Sequence, residues 1–487
     1  MAGRRVFLFC VIGWSVAAAS PAVAAPPNVL FVMADDLRCD LGCLGGAAVT
    51  PHLDRLAARG VLFERAYCQQ AVCNPSRSSL LTGLRPDTLG LWCNSVHFRE
   101  LRPHVTTLPL WFKEHGYTTR CVGKIFHNWH TAARGDRRSW SADEFLHYAN
   151  HGDDAARVDG VPPPSLARVD RRYGKGPLDE RRDVADEAYY DGRVATEAIR
   201  VLDEVGSGPF FLAVGFWKPH APFNAPARYW DLYDRDRLPA LDARRPAGAP
   251  EIAFHQSTEI LGPPASQRPP TEAEAAEMRH GYLAGISFLD AQVGRLLAAL
   301  EAKGLARDTI VVFASDHGYH MGEHGLWGKT STFELDARVP LVISDPRSLA
   351  TARKVEGLVE LLDIFPTLVE ACGLPTPGGL EGTSLVPVVR GIGDAVKHEA
   401  FTQHPRPAYF DREPNARPEA MGYSVRTDRI RYTEWRDWAT GATLASELYD
   451  HSTDPHELRN LASDTAVDDL RTDAARRLAA RFPVQRH

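Results

Sequence analysis

Lysine is scarce in this chain. Of 56 basic residues only 8 are lysine, so arginine is the default cation. Against that habit, a lysine marks a place suited to a compact ammonium rather than a planar fork. Three of the eight fall in short motifs: Gly123-Lys124, Trp217-Lys218-Pro219-His220 and Gly328-Lys329. Positive charge is also wanting overall. A formal charge of −6 excludes a field suited to nonspecific nucleic-acid binding. A polyanionic substrate must then be met by a local basic pocket. Beyond the first 24 residues no apolar run is long enough to span a bilayer, and there are no internal repeats or low-complexity tracts. The eight cysteines lack zinc-site spacing. Cys10 falls in the leader. Cys39, Cys43, Cys68, Cys93, Cys121 and Cys372 form an even set beside Cys73, which permits disulfides without fixing a pairing. We expect them mostly buried or singly paired.

What is present is ordinary globular composition, 44% hydrophobic and 24% charged over 487 residues, enough for one large α/β domain and a smaller one. Residues 1–24 read as an export signal. Arg4 and Arg5 form the charged end, a short small-residue-rich apolar stretch follows, and Ala22-Val23-Ala24 offers a cleavage site. The mature protein is therefore expected outside the cytoplasm, periplasmic or extracellular.

Residues 28–33 (Asn-Val-Leu-Phe-Val-Met) form a short, β-branched apolar run, the pattern of a strand buried on both faces. Similar runs at 118–122, 209–214 and 309–314 alternate with helical patterns at 51–60, 105–115 and 272–303. Alternation of this kind predicts a mainly parallel α/β sheet, with ligands beyond the carboxyl ends of its strands. Asp35, Asp36, Lys218, His220, Asp316 and His317 all stand at such ends. Residues 128–184 and 221–270 have little periodicity and read as insertions over that face. Residues 358–372 read as a helix and 373–393 as a connector. After 395 short strands at 400–403, 421–426, 429–435 and 447–450, with a final helix at 467–482, predict a small antiparallel α+β subdomain. The expected division is 1–24 leader, 25–395 catalytic domain and 396–487 C-terminal subdomain.

The most telling stretch is Cys73-Asn74-Pro75-Ser76-Arg77-Ser78-Ser79-Leu80-Leu81-Thr82-Gly83. It reads as a turn feeding a helix, with Pro75 at the first helical position, Ser76 supplying capping oxygens and Gly83 as the stop. Cys73 just before a helix N-terminus, with Arg77 one turn on, predicts a depressed-pKa nucleophile or a site prepared for an anion. Asp35, Asp36 and Asp316 offer three carboxylates and His317 a nitrogen. Oxygen-rich sites favour Ca²⁺ or Mg²⁺, while imidazole tilts toward transition metals.

The eleven residues resemble the signature of the type I sulfatases, and much of the mature chain is similar to the iduronate-2-sulfatase branch. The likeness runs through Phe31-Val32-Met33-Ala34-Asp35-Asp36-Leu37-Arg38, Gln69-Gln70-Ala71-Val72-Cys73, Asp290-Ala291-Gln292-Val293-Gly294-Arg295 and Met421-Gly422-Tyr423-Ser424-Val425-Arg426. It departs from that pattern over residues 137–182 and between 373 and 400. The resemblance implies an alkaline-phosphatase-like fold, with its large mainly parallel sheet sandwiched by helices. It implies conversion of Cys73 to formylglycine by a formylglycine-generating or anaerobic sulfatase-maturating enzyme, and one Ca²⁺ held by Asp35, Asp36, Asp316, His317 and the modified residue 73. By the same resemblance Arg77, Lys124 and Lys329 hold charge on the sulfate, His220 with Lys329 protonates the departing oxygen, and His127 takes a proton from the aldehyde hydrate. Trp92 falls where that branch places an aromatic at the pocket. Arg406, in Gln403-His404-Pro405-Arg406-Pro407, is a candidate for meeting a substrate carboxylate or for steadying the subdomain, the second being preferred. The expected activity is exo-acting removal of sulfate from a terminal sugar of a sulfated glycan. The rival readings are a phosphodiesterase or phosphonate hydrolase of the same superfamily, a sulfatase for another polysaccharide or a small sulfate ester, and a catalytically dead glycan-binding protein.

Overall fold

A computed structural model describes residues 25–127, 135–145, 179–206, 208–262, 267–412 and 416–484. The expected export signal at 1–24 and most of the 128–184 segment read as an insertion lie outside the described residues. The central sheet has eight strands: β1 (Asn28–Asp35), β2 (Val61–Tyr67), β3 (Thr118–Gly123), β4 (Phe210–Pro219), β5 (Thr309–Ser315), β6 (Arg338–Ser344), β7 (Arg353–Val355) and β8 (Val359–Glu360). Their order is β7-β2-β6-β5-β1-β4-β3, with β8 beside β2. β1 sits at the middle, parallel to β4 through Val32 opposite Val214 and parallel to β5 through Val32 opposite Phe313. This is why its apolar run is continuous. Leu30, Val32 and Ala34 enter one hydrophobic layer and Val29, Phe31 and Met33 the other. The sheet is mainly parallel, and β6 alone runs against its two neighbours, β2 and β5.

Five helices matter for the site and its frame: α1 (Pro51–Arg59), α2 (Cys73–Thr82), α3 (Tyr190–Glu204), α4 (Glu272–Ala302) and α5 (Ile364–Ala371). α1, α3 and α4 pack on one face of the sheet and α2 and α5 on the other. α4 is the one described helix long and apolar enough to cross a membrane, and most of it is buried inside the fold. The helix predicted over 358–372 is shorter than its apolar pattern. Val359 and Glu360 pair with β2 as a strand, a single 3-10 turn follows, and α5 starts only at Ile364. A run buried on every side does not distinguish strand from helix by period.

The chain then builds a four-stranded antiparallel meander, β9 (Ala400–Arg406), β10 (Ala420–Arg426), β11 (Ile430–Asp437) and β12 (Thr443–Asp450), and ends with α6 (Asp468–Arg481). Ala474 and Leu478 of α6 join Val425, Tyr432 and Leu448 in a separate core. The meander abuts the catalytic sheet just ahead of the signature. The Gln403 amide donates to the Gln69 carbonyl at 2.8 Å, and the Thr402 hydroxyl donates to the Cys68 carbonyl at 2.7 Å.

Candidate active site

The parallel strands β1, β3, β4 and β5 deliver Asp35, Lys124, His220 and Asp316 to one edge of the sheet, as their shared direction requires. Asp35 closes β1. Asp36 follows in the left-handed region at φ 63°, which turns its carboxylate back toward the same point. Its amide donates to Asp316 Oδ1 at 3.1 Å, and its carbonyl accepts from the Tyr282 hydroxyl at 2.6 Å, so the turn is pinned from two sides.

Cys73 enters from α2. It is the first residue of the helix, two residues earlier than the prediction from Pro75, and Val72 precedes it without a side-chain cap. Ser76 caps nothing, because its hydroxyl donates to the Asp316 carbonyl. α2 is buried along its whole length, and tertiary contacts replace the cap that local chemistry would have supplied. Cys73 Sγ lies 3.4 Å from Asp35 Oδ1 and 3.4 Å from His317 Nε2. Burial and the neighbouring Asp35 push the thiol well above its usual range, the reverse of the depressed value predicted from the helix terminus and Arg77. As a thiol this residue is a poor nucleophile.

Ligand atoms of Asp35, Asp36, Cys73 and His317 all fall within 4.8 Å of one another. His317 Nδ1 faces the Gly318 carbonyl at 2.9 Å, and since a carbonyl only accepts, the proton sits on Nδ1. The Nε2 lone pair is thereby aimed into the cluster, 3.4 Å from Asp36 Oδ1 and 3.7 Å from Asp316 Oδ2. Burial pushes the Asp36 carboxyl well up, and the negative Asp35, Glu259 and Asp316 push in the same direction against Lys329. Asp316 is held well below the usual range, with the Arg77 guanidinium outweighing its burial. Crowded, desolvated carboxylates beside an oriented imidazole are a donor set that fits a divalent cation.

Arg77 is fully buried, and its guanidinium is spent on the protein. Nε donates to Asp316 Oδ2 at 2.8 Å, Nη1 to the carbonyls of Lys124 and Ile125 at 2.6 and 3.2 Å, and Nη2 to the Ala34 carbonyl at 3.0 Å and Asp35 Oδ1 at 3.3 Å. It locks two acids, β1 and the β3 loop together, so any charge it holds on the sulfate acts through those partners. Lys124 Nζ pairs with Asp35 Oδ2 and sits 4.5 Å from the Trp217 ring centre. Lys329 Nζ donates to both oxygens of Asp36, at 2.7 and 2.9 Å. Lys218 turns away and donates to the Pro222 carbonyl at 2.8 Å. His127 is buried three residues beyond Lys124. His220 Nδ1 faces the Ala221 carbonyl at 2.5 Å, leaving Nε2 toward the site.

One site residue had no sequence signal. Glu259, in the short helix Thr258–Leu261, accepts from Lys329 Nζ at 3.0 Å and lies 3.2 Å from His220 Nε2. It belongs to the 221–270 segment predicted only to cover the face, and nothing in Ser257-Thr258-Glu259-Ile260 distinguishes it from a solvated turn.

Trp92 is half-buried. Its indole donates to Asp87 at 2.7 Å and packs edge-on against Trp438, 5.0 Å between ring centres. Its segment braces the start of α2, since Asn74 Nδ2 donates to the carbonyls of Cys93 and Val96 at 2.9 and 2.7 Å. Arg406 is buried. It gives hydrogen bonds to the carbonyls of Ile252, Thr330 and Ala253 at 2.8, 3.0 and 2.7 Å and lies over the Trp435 ring. These contacts give Arg406 a steadying role, and its side chain also borders the cavity beside Thr330. Beside Thr330 and Thr258 opens a cavity of about 1030 Å³, also lined by Phe254, Tyr409, Arg412 and Arg417. The described cysteines are all free thiols.

The model of the family described as Sulfatase matches residues 27–374, and that of the N-sulphoglucosamine sulphohydrolase C-terminal region matches 322–482. The chain belongs to the sulfatase family. Its central activity is accordingly hydrolysis of a sulfuric ester, and the fold is the alkaline-phosphatase-like one. This sulfatase is 34% identical over 527 residues to iduronate 2-sulfatase of Mus musculus, covering 94% of each chain. It is 30% identical to arylsulfatase K of Rattus norvegicus, over 91% of this chain and 76% of the relative. Among solved structures, the phosphonate monoester hydrolase of Agrobacterium radiobacter superposes with a TM-score of 0.76 at 27% identity, covering 93% of this chain and 95% of that one.

Proposed function

We propose that the chain removes a sulfate ester from the terminal sugar of a sulfated glycan, 2-sulfated uronate being the first choice, with formylglycine at position 73 and Ca²⁺ as its reactive pair. The observation that carries the reading is the convergence of Asp35, Asp36 and His317 on Cys73 Sγ, with Asp316 Oδ2 3.7 Å from His317 Nε2 and Lys124 and Lys329 paired to the same acids. The Sγ stands in for the hydroxyl oxygens of an aldehyde hydrate. That hydrate supplies one hydroxyl for attack on sulfur and a second for expelling the product sulfate, and the cation supplies charge neutralisation and Lewis acidity. Asp35, Asp36, Asp316 and His317 would hold the cation, which three carboxylates against one imidazole favour as Ca²⁺.

The other residues act through position and charge. Arg77 fixes Asp35 and Asp316 in place. Lys124 and Lys329 hold negative charge on the sulfate oxygens in a buried, preorganised setting. His220 Nε2, with Lys329, gives a proton to the departing sugar oxygen, and His127 takes the proton of the second hydroxyl. Four buried carboxylates, Asp35, Asp36, Asp316 and Glu259, stand against the three cations Arg77, Lys124 and Lys329. A divalent cation makes the pocket net positive and suits it to a sulfate monoester. The neighbouring cavity of about 1030 Å³, with Arg412, Arg417 and three aromatic rings on its wall, supports an acidic saccharide beyond the reacting sugar. The name of the iduronate 2-sulfatase relative supports the uronate. The leader supports export, and the sheet change near residue 395 supports the division into 25–395 and 396–487.

The likeness to a phosphonate monoester hydrolase favours a second reading, hydrolysis of phosphonate or phosphodiester bonds on the same frame. One panel separates them: sulfated mono- and oligosaccharides, aryl sulfate, phosphodiester and phosphonate ester, each assayed with the wild type and Cys73→Ser. We expect 2-sulfated uronate to be preferred, Cys73→Ser to lose turnover while staying folded, and intact mass to report conversion of Cys73. Near-wild-type sulfate release by Cys73→Ser would remove the nucleophile assignment, and a preference for the phosphorus esters would remove the substrate class.

A further inference from the structure

Glu259 poses a problem for an anion-binding site. A carboxylate within 3.0 Å of Lys329 Nζ and 3.2 Å of His220 Nε2 repels a sulfate ester brought to the same cations. It is 6% exposed, so solvent does not screen it. Its contacts give the compensation. Oε1 receives Lys329 and faces His220, while Oε2 accepts from the Tyr409 hydroxyl at 2.8 Å. His220 is also held at Nδ1 by the Ala221 carbonyl and packs edge-on against Trp217, 5.8 Å between ring centres. Lys329 is also held by Asp36, a residue on the metal side of the site, which faces His220 Nε2 from 3.7 Å. Glu259 is thus the partner these two groups share on the side away from the metal cluster, at 3.0 and 3.2 Å.

The fixing extends outward. Tyr409 lies three residues past β9, in the C-terminal part of the chain. The Arg412 guanidinium stacks 3.9 Å from the Tyr409 ring centre, and its Nη1 donates to Thr258 Oγ1 at 3.1 Å. The carboxylate therefore has one oxygen on the proton donors and the other clamped to the 409–412 turn.

We propose that Glu259 is the positioning residue of the leaving-group side, holding His220 Nε2 and Lys329 Nζ aimed at the departing oxygen, with Tyr409 fixing the carboxylate from the turn after β9. The proposal rests on the reading above in which His220 and Lys329 protonate that oxygen. In that step the S–O bond to the sugar breaks, its electron pair stays on the sugar oxygen, and the oxygen takes a proton from His220 or Lys329. Correct placement of a proton donor is worth most when the leaving oxygen is basic and little when it is a stable phenolate.

The test measures kcat and KM for a sugar sulfate and for a 4-nitrophenyl sulfate, using the metal-loaded full chain. Glu259→Gln is expected to lower kcat on the sugar sulfate about 10- to 100-fold, up to the lower end of what general acid catalysis contributes because the acid itself remains, and on the aryl sulfate less than about 3-fold. KM is expected to stay level or fall, since a repelling charge has gone. Tyr409→Phe keeps the carboxylate and is expected to give the same pattern at about 3- to 10-fold; it carries the test where Glu259→Gln does not fold. His220→Ala is the reference for the underlying reading. A loss for His220→Ala that is equal on both substrates overturns the acid reading and this proposal with it. A leaving-group-selective loss for His220→Ala, beside an equal loss or no loss on both substrates for folded Glu259→Gln, overturns the role of Glu259 alone.

Discussion

Asp36, at φ 63°, occupies a conformation that costs a non-glycine residue on the order of 1 kcal/mol, and the price is met by the Asp316 and Tyr282 contacts on its backbone. Without that turn, neighbouring carboxylates on a strand would point to opposite faces. With it they share one cluster, and the cluster needs Arg77. The five donors of Arg77 meet two carboxylates and three carbonyls, so its removal leaves buried acceptors and acids unmatched. We expect Arg77→Ala to cost about 3–5 kcal/mol of stability as well as activity. Arg77→Lys should fail to restore it, because an ammonium has three donors and no fork. Urea midpoints check this, and an unchanged midpoint with activity lost would assign Arg77 to substrate after all. Removal of the cation is expected to act on the same cluster. Chelation should abolish turnover and lower Tm, with Ca²⁺ restoring both better than Zn²⁺. A free ion at 100 times its Kd contributes about 2.7 kcal/mol. Better recovery with Zn²⁺ would mean that His317 sets the metal. Most of these residues were legible because they sit in contiguous motifs at strand ends. Glu259 was not, because a lone acid in a loop becomes a site residue only through packing.

At the scale of elements, helices here borrow what their own sequences lack. α1 begins with Thr50 and Pro51 and has no side-chain cap of its own. Asp290, from the middle of α4, supplies it. One oxygen accepts from the Leu53 amide at 2.7 Å, and both lie near the His52 amide, at 3.1 and 3.2 Å. Burial pushes the Asp290 carboxyl up to about 7 even though those amides pull it down. The folded protein therefore keeps a proton that the unfolded chain releases near the ordinary value of 3.8. A carboxyl raised on folding lowers stability as pH rises between those two values and has no further effect above the upper one. Asp290→Asn keeps one acceptor oxygen and cannot titrate. Its Tm relative to wild type is expected to rise between pH 4 and about 7 and then level off. Asp290→Ala should cost about 1–2 kcal/mol, the worth of a helix cap. A Tm difference for Asp290→Asn that does not change with pH would show that the carboxyl stays charged. β1, β4 and β5 were readable from their short, β-branched apolar runs, and α4 from its helical spacing. β2 and β6 were missed because each mixes apolar and charged residues, Glu64 and Arg65 in one and Arg338 in the other. The true start of α2 was hidden because Asp316 and Arg77, not a local cap, hold it.

The whole molecule turns on how the C-terminal meander is tied to the catalytic sheet. Arg431 of β11 is buried between Glu334, on the catalytic side, and Glu457. Arg406 of β9 reaches Ile252, Ala253 and Thr330, and Thr330 follows Lys329 directly at φ 93°. The sequence likeness covers both parts, but which arginine serves substrate and which serves docking depends on contacts that no spacing reveals. The docking role gives Arg406 a distinct expectation. Arg406→Met keeps apolar bulk over Trp435 but removes a donor from four carbonyls, those of Ile252, Ala253, Thr330 and Pro405. At about 1–3 kcal/mol for each unmatched polar group, with partial relaxation, the loss should total several kcal/mol and lower Tm. Lys329 would lose its backbone support, so kcat should fall on every sulfate ester. The ratio of kcat/KM for 2-sulfated uronate to that for the neutral sugar should stay within about 2-fold of wild type, because no charge-assisted hydrogen bond to substrate has been removed. Loss of such a bond is worth about 1.5–3 kcal/mol and would shift the ratio by more than 10-fold. A collapse of the ratio with Tm unchanged would return Arg406 to the substrate pocket and leave the docking of the meander to Arg431.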